Sequence, residues 1–254
     1  MSKVEINKDF YNKLYKKRNP LTSLLYSRIS FDQQSKSKLN IKFLKEHLKG
    51  KFFEPLSVLD YGFGHGSLLL KYRKQHKLYG CDISEEAVFN FPSVAKLAGL
   101  EVQTGTVEEF KTKFETVKFD VITLSHIIEH VEDDLALLIS LVEKLKPNGV
   151  ILINIPINEV WEDPKHVRKY DLAYTNSLLE KCGLKQEAHL ETDKLTSYFL
   201  IEEMVKKAGA IKKIYIKSLR LFFAIMPFGV TRFFETLFLK NHKNQQLLVL
   251  AAKK

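Results

Sequence analysis

Val58-Leu59-Asp60-Tyr61-Gly62-Phe63-Gly64-His65-Gly66 is the stretch whose reading decides the fold. It closes a short apolar strand over residues 56–61 and runs into three glycines at alternate positions. Glycine reaches backbone angles closed to other residues and carries no Cβ, so such a turn bends sharply and lets a ligand approach the main chain. A helix is expected next, over 67–75, with unpaired N–H groups at its start. A second strand, 77–82, then ends on an acid, Asp82. Strand, glycine turn, helix and acid-tipped strand in this order predict a nucleotide-binding βαβ unit. The dinucleotide spacing Gly-x-Gly-x-x-Gly is not met, because the third glycine comes one position early. Asp60 just before the glycines would repel a pyrophosphate and attract a cationic amine. The turn therefore speaks against an NAD-dependent oxidoreductase and for a ligand bearing an amine and a ribose.

Outward from this unit the alternation continues. Helices are expected over 84–97, 133–145 and 175–182, with a further short segment over 107–114. Strands are expected over 100–104, 119–125, 150–155, 184–190 and 246–252, with a turn at Lys146-Pro147-Asn148-Gly149 before the third of these. Apolar strands alternating with amphipathic helices predict an α/β fold with a mostly parallel sheet covered on both faces. Residues 1–50 read as two helices, broken at Asn19-Pro20 and stopped at Gly50, and form an N-terminal helical cap. The core is expected over 51–195, a helical lid or insertion over 196–243, including a helical stretch at 197–207, and the final core strand over 244–254.

The motifs resemble those of class I S-adenosylmethionine-dependent methyltransferases. Asp60-x-Gly62-x-Gly64-x-Gly66 is similar to that family's first motif, and Asp82, in Gly80-Cys81-Asp82-Ile83-Ser84, stands where its ribose-binding acid does. Gly105-Thr106-Val107-Glu108-Glu109-Phe110 resembles the adenine-binding stretch, with Thr106 where the family often has Asp. Residues 119–131 are similar to the fourth motif of the small-molecule branch that includes quinone-biosynthesis enzymes. The resemblance covers residues 56–185. It implies a Rossmann-like fold with a seven-stranded sheet, N-terminal helices and a C-terminal helical insertion before the last strand. It also implies S-adenosylmethionine as cofactor and S-adenosylhomocysteine as product. The contacts it implies are Asp60, Tyr61, Gly62, Gly64, Gly66, Asp82, Ile83, Thr106, Val107, Glu108, Ser125 and His126. Without it, the glycines could merely shape a tight turn and Asp82 could merely cap the next helix.

Two further clusters carry chemistry. His126-Ile127-Ile128-Glu129-His130 has the letters of a zinc-protease helix, but it begins at a strand end, where that geometry is not expected, and no metal is assigned. The segment 161–170 holds Trp161, His166, Arg168 and Tyr170 at the same sheet edge. Methyl transfer to a hydroxyl gains from alignment and from a general base, and His166, Tyr170 and His126 are the candidates.

Two cysteines, Cys81 and Cys182, without close spacing argue against a disulfide framework or structural zinc and suggest a cytoplasmic protein. No run of apolar residues is long enough to span a membrane. The net charge of +10 suits an anionic partner or simply a basic surface. Residues 214–240 are dense in aromatics and fit a lid, a homodimer face or a peripheral membrane contact. The favoured acceptor is a small polar molecule or glycan precursor: a bacterial capsule or lipopolysaccharide component, or its phosphorylated or phosphoramidate precursor. A quinone or secondary metabolite is the alternative. A nucleic-acid methyltransferase is disfavoured because Ser125-His126-Ile127-Ile128 replaces the usual Asn/Asp-Pro-Pro-aromatic. A non-catalytic cofactor-binding module stays open.

Overall fold

Seven segments pair into one sheet in a computed structural model that describes residues 3–16, 19–159, 163–199 and 209–254. The strands are β1 (Ser57–Tyr61), β2 (Lys77–Asp82), β3 (Val102–Thr106), β4 (Phe119–Ser125), β5 (Leu145–Pro156), β6 (Leu184–Thr192) and β7 (Gln246–Lys253). Their order is β3-β2-β1-β4-β5-β7-β6. The pairings from β3 through β5 are parallel, and β7 runs antiparallel between β5 and β6. Strand alternation divides the core. Leu59, Ile122 and Ile151 pack on one face, and Val58, Val121 and Leu152 on the other. Each such side chain is wholly buried, which contributes roughly 1.5–3 kcal/mol apiece.

The helices are α1 (Lys3–Tyr15), α2 (Pro20–Ile29), α3 (Phe31–Leu48), α4 (Glu85–Leu97), α5 (Phe110–Lys113), α6 (Asp134–Val142), α7 (Leu172–Lys181), α8 (Lys194–Phe199), α9 (Ala210–Ile225) and α10 (Phe228–Phe238). Local chemistry sets their starts. Asn19, Ser84, Asp133 and Asp171 each accept a bond from a main-chain N–H of the first turn, the interaction that makes such residues good caps. The expected seven-stranded, mostly parallel sheet with N-terminal helices is therefore present.

Three local expectations are corrected. Residues 67–75 form no α-helix, only a 3-10 turn at Leu69–Lys71. Tyr72 takes an extended backbone at ψ 165°, which ends the turn, and residues 73–75 beyond it are exposed. The N-terminal cap has a second break at Ser30, whose extended backbone separates α2 from α3. β5 begins at Leu145 and runs through the expected turn, absorbing it as a register shift against β4. Gly149 is required there, since a Cβ would lie 2.7 Å from the Phe119 carbonyl oxygen. The helix expected over 197–207 lies mostly outside the described residues, as does Trp161.

Candidate active site

The glycine turn is held by its own geometry. Gly62, Gly64 and Gly66 all have positive φ, at 79°, 53° and 68°, which penalises any side chain. A Cβ on Gly62 would stand 1.9 Å from Ile127 Cδ1, and one on Gly66 1.9 Å from the Phe91 ring. Asp82 clasps the turn. Its Oδ2 accepts from Gly64 N at 2.8 Å and its Oδ1 from Ser84 N at 2.9 Å. Asp82 is thus no helix cap; Ser84 fills that role by accepting from Ala87 N. Asp60 accepts from Thr123 Oγ1 at 2.8 Å. Burial raises Asp60 to about 7 and Asp82 to about 6. Two desolvated carboxylates at one turn favour a ligand that brings positive charge and hydroxyl donors. That donor set fits the ammonium group and ribose of S-adenosylmethionine. Tyr61 is mostly buried and packs edge-on against Phe110, so it shapes the strand rather than facing solvent. Ile83 lies between Asp82 and the cap of α4. Thr106 and Glu109 bond reciprocally, closing the turn that carries Val107 and Glu108.

No local sequence pattern shows that α1 crosses this mouth. Lys8 Nζ lies 2.9 Å from Glu85 and 3.1 Å from Glu108. Ser84 Oγ donates to Asn12 Oδ1 at 2.8 Å. The Tyr15 ring meets His65 edge-on at 4.7 Å. Lys165 Nζ lies over the Phe10 ring at 4.2 Å, which joins α1 to the loop after β5.

On the other side of β1 the acceptor-side candidates converge. His126 has φ 57°, a strained angle for a residue with a Cβ, and a 3-10 turn at Ile128–His130 follows it. The helix required for a zinc-protease motif is not formed. His126 Nδ1 lies 3.3 Å from Glu129 Oε1, while His126 Nε2 is buried without a hydrogen-bond partner among the described residues. Burial, then the charge of Lys36, holds the His126 imidazole below its ordinary value despite Glu129. Burial works against the Glu129 carboxylate, yet His126 and His130 outweigh it and hold its pKa low. His166 Nδ1 lies 2.9 Å from Glu159 Oε1, which outweighs burial and raises the imidazole. Glu129, His130 and His166 bring ligand atoms within 4.8 Å of one another, a nitrogen-and-oxygen set suited to a divalent ion.

Tyr170 stands apart from its expected role as a base. Its hydroxyl donates to Asp134 Oδ2 at 2.8 Å and contacts Ile128 O at 3.1 Å. Burial and Asp134 push its pKa well up, so it braces the 128–130 turn. Ser125 Oγ accepts from Asn40 Nδ2 at 3.1 Å, on the acceptor side of β1. Asn154 donates to Asn40 at 2.8 Å and to Gln246 at 3.0 Å, and its Oδ1 is buried with no partner among the described residues. Asn40 and Asn154 carry no sequence signal, because they meet only through tertiary pairing, whereas Glu129 is visible in the sequence only within the zinc-protease letters.

A mostly parallel sheet in this order, with a glycine turn and two buried acids at its carboxyl edge, defines a Rossmann-like nucleotide-binding protein. The chain belongs to the methyltransferase domain family, whose sequence profile matches residues 32–209. It is 39% identical over 103 residues to a ubiquinone biosynthesis O-methyltransferase of Histophilus somni, covering 38% of this chain and 43% of that protein. The namesake of Pasteurella multocida is 35% identical over 108 residues, covering 38% and 45%. The chain thus spans less than half the length of these curated relatives. The magnesium protoporphyrin IX methyltransferase of Synechocystis PCC 6803 with bound SAM shares the fold, with a TM-score of 0.58 and 14% identity over 100% of this chain and 98% of that one. S-adenosylmethionine is the cofactor that family membership and the turn both indicate.

Proposed function

We propose that the chain is an S-adenosylmethionine-dependent O-methyltransferase acting on a hydroxyl of a small molecule, of quinone or related aromatic type. The observation that carries the reading is the junction of the two half-sites. Ile127, between His126 and the turn that bears Glu129, lies directly against Gly62 of the cofactor turn. The relatives' names support the quinone-type acceptor, whereas the expected capsule or lipopolysaccharide acceptor has no counterpart among them.

When bound, the cofactor supplies a methyl group already activated on a sulfonium. Asp60 and Asp82 hold its amine and sugar, and the glycines admit it close to the main chain. His126 is the base that takes the hydroxyl proton at Nε2. Its lowered pKa leaves it neutral near pH 7, and Glu129 steadies Nδ1 and the cation that forms. His166, paired with Glu159, lies beside the His130 ring, 4.8 Å between centroids, and positions the acceptor. The cluster of Glu129, His130 and His166 favours a second reading, in which a divalent ion held there polarises the acceptor oxygen.

Purified chain, labelled S-adenosylmethionine and a panel of catechol, hydroquinone and glycan acceptors test the proposal. Transfer to the phenols that survives a chelator supports base catalysis, and transfer abolished by a chelator and restored by metal supports the second reading. Transfer to the glycans alone, or to none, overturns the acceptor class.

A further inference from the structure

We infer that the outer face of α9 and α10 docks on an anionic phospholipid bilayer. α9 has two apolar faces. One, with Ile216, Leu219 and Phe223, packs with Phe31, Leu195 and Leu239. The other carries Ile211, Ile214, Tyr215, Leu221, Phe222 and Ile225, spaced by three, four and seven residues along one stripe. All six are exposed, Ile211 at 86% and Ile214 at 66%. α10 repeats the pattern with Val230, Phe233, Leu237 and Phe238, all exposed. Contiguous apolar exposure on this scale marks a surface that meets something else.

Charge selects the partner. α9 contains no acid, and Lys212, Lys213 and Lys217 lie among its apolar positions. The one acid of α10, Glu235, is buried and faces inward to Arg232 and to the N–H groups of Lys194 and Leu195. Lys240 and Lys243 follow α10. The two helices therefore offer an apolar face bordered by cations, with no exposed carboxylate from either, the complement of anionic headgroups above acyl chains. A second copy would instead set lysines against lysines. No helix among the described residues is long and apolar enough to cross the membrane, so contact is with the surface.

The placement links this face to the site. Lys38 of α3 donates to Ala224 O at 2.5 Å and to Met226 O at 2.7 Å, at the end of α9. Asn40, also on α3, reaches Ser125. One helix thus separates the docking face from the acceptor wall, although docking does not depend on which acceptor is methylated.

The test is co-sedimentation of the full chain with vesicles of phosphatidylcholine alone or mixed with phosphatidylglycerol. Binding to the mixed vesicles only, weakening as salt rises, is expected. Replacing Lys212, Lys213 and Lys217 together by Gln should weaken partitioning about a hundredfold, at about fivefold per lysine. Ile214→Ser with Ile225→Ser should abolish it while circular dichroism and cofactor affinity stay as in the parent. Equal binding to both vesicles, no binding to either, or binding indifferent to these variants overturns the inference. So does self-association that Ile214→Ser/Ile225→Ser abolishes without any vesicle binding, which would make the face a contact between copies. Cofactor affinity on the same samples separates this failure from failure of the methyl-transfer reading.

Discussion

The two halves of the sheet's carboxyl edge are built by different means. On the cofactor side the contacts that hold the glycine and adenine turns themselves are short-range or fall on main-chain atoms: Asp82 reaches Gly64 N and Ser84 N, and Thr106 bonds Glu109. On the acceptor side they join distant segments through side chains. Asn40 reaches Ser125 and Asn154, Asn154 reaches Gln246, and Tyr170 reaches Asp134. The first half is a shape made by backbone angles, and the second is a set of functional groups held by tertiary pairing. Mutations should therefore separate them, with damage to stability and cofactor binding on one side and to turnover on the other.

The largest effect expected is on turnover. His126→Asn keeps a residue that tolerates the left-handed backbone but removes the base, and should lower kcat by about 10²- to 10⁴-fold. Glu129→Gln should follow it in direction. Cofactor affinity measured by calorimetry should stay near that of the parent in both. If affinity falls in step with kcat, the two halves are not separable and the base assignment fails.

Next comes stability on the cofactor side. Gly66→Ala must hold a Cβ at φ 68° and 1.9 Å from the Phe91 ring. Left-handed strain and overpacking together should cost about 2–4 kcal/mol in urea denaturation. Adding Phe91→Leu should relieve the packing part and leave the strain. Full recovery would show that the backbone angle is not what the turn demands.

This difference in construction also explains what the sequence disclosed. Asp60, the three glycines and Asp82 were legible because their spacing is itself the structure, and the strands because apolar runs must be buried. A helix at 67–75 is suggested by the glycine turn and by Leu68, Leu69 and Tyr72 at helical spacing, yet the extended backbone of Tyr72 ends it after a single 3-10 turn. The partner of the Tyr170 hydroxyl is invisible in the sequence, because Asp134 stands 36 positions away. Asn40 and Asn154, 114 positions apart, bond each other, which no local pattern records. The crossing of the cofactor mouth by α1 is equally non-local, since Lys8 meets Glu108 a hundred positions on.

Acidification sharpens the contrast further. The ligand-free folded chain keeps protons on Asp60 and Asp82, at about 7 and about 6, that the unfolded chain sheds near 3.8. Their contribution therefore lowers stability as pH rises from about 4 to 7. Cofactor binding runs the other way, because its cation needs a charged Asp60. Affinity should weaken at least about tenfold between about pH 8 and 5.5. An affinity flat across that range would place the amine elsewhere. The acceptor side predicts a separate limb in kcat, set by His126, whose lowered pKa keeps the base form present to lower pH than an exposed imidazole would allow.

The smallest effect lies where α1 joins the halves. Lys8 bridges Glu85 and Glu108, but all three side chains are partly exposed, at 29%, 65% and 61%. Such pairs contribute about 0–1 kcal/mol. Lys8→Ala should thus leave thermal stability unchanged and quicken cofactor release by about two- to fivefold. Raising salt should quicken release from the parent and narrow the gap to the variant, since exposed pairs are screened. Tyr15 anchors the other end of the same helix against the turn, its hydroxyl 2.7 Å from where a Cβ of Gly64 would stand. Tyr15→Ala should add to Lys8→Ala if α1 straps the cofactor at two points. Release rates indifferent to both substitutions and to salt would show that α1 covers the mouth without holding what lies beneath it.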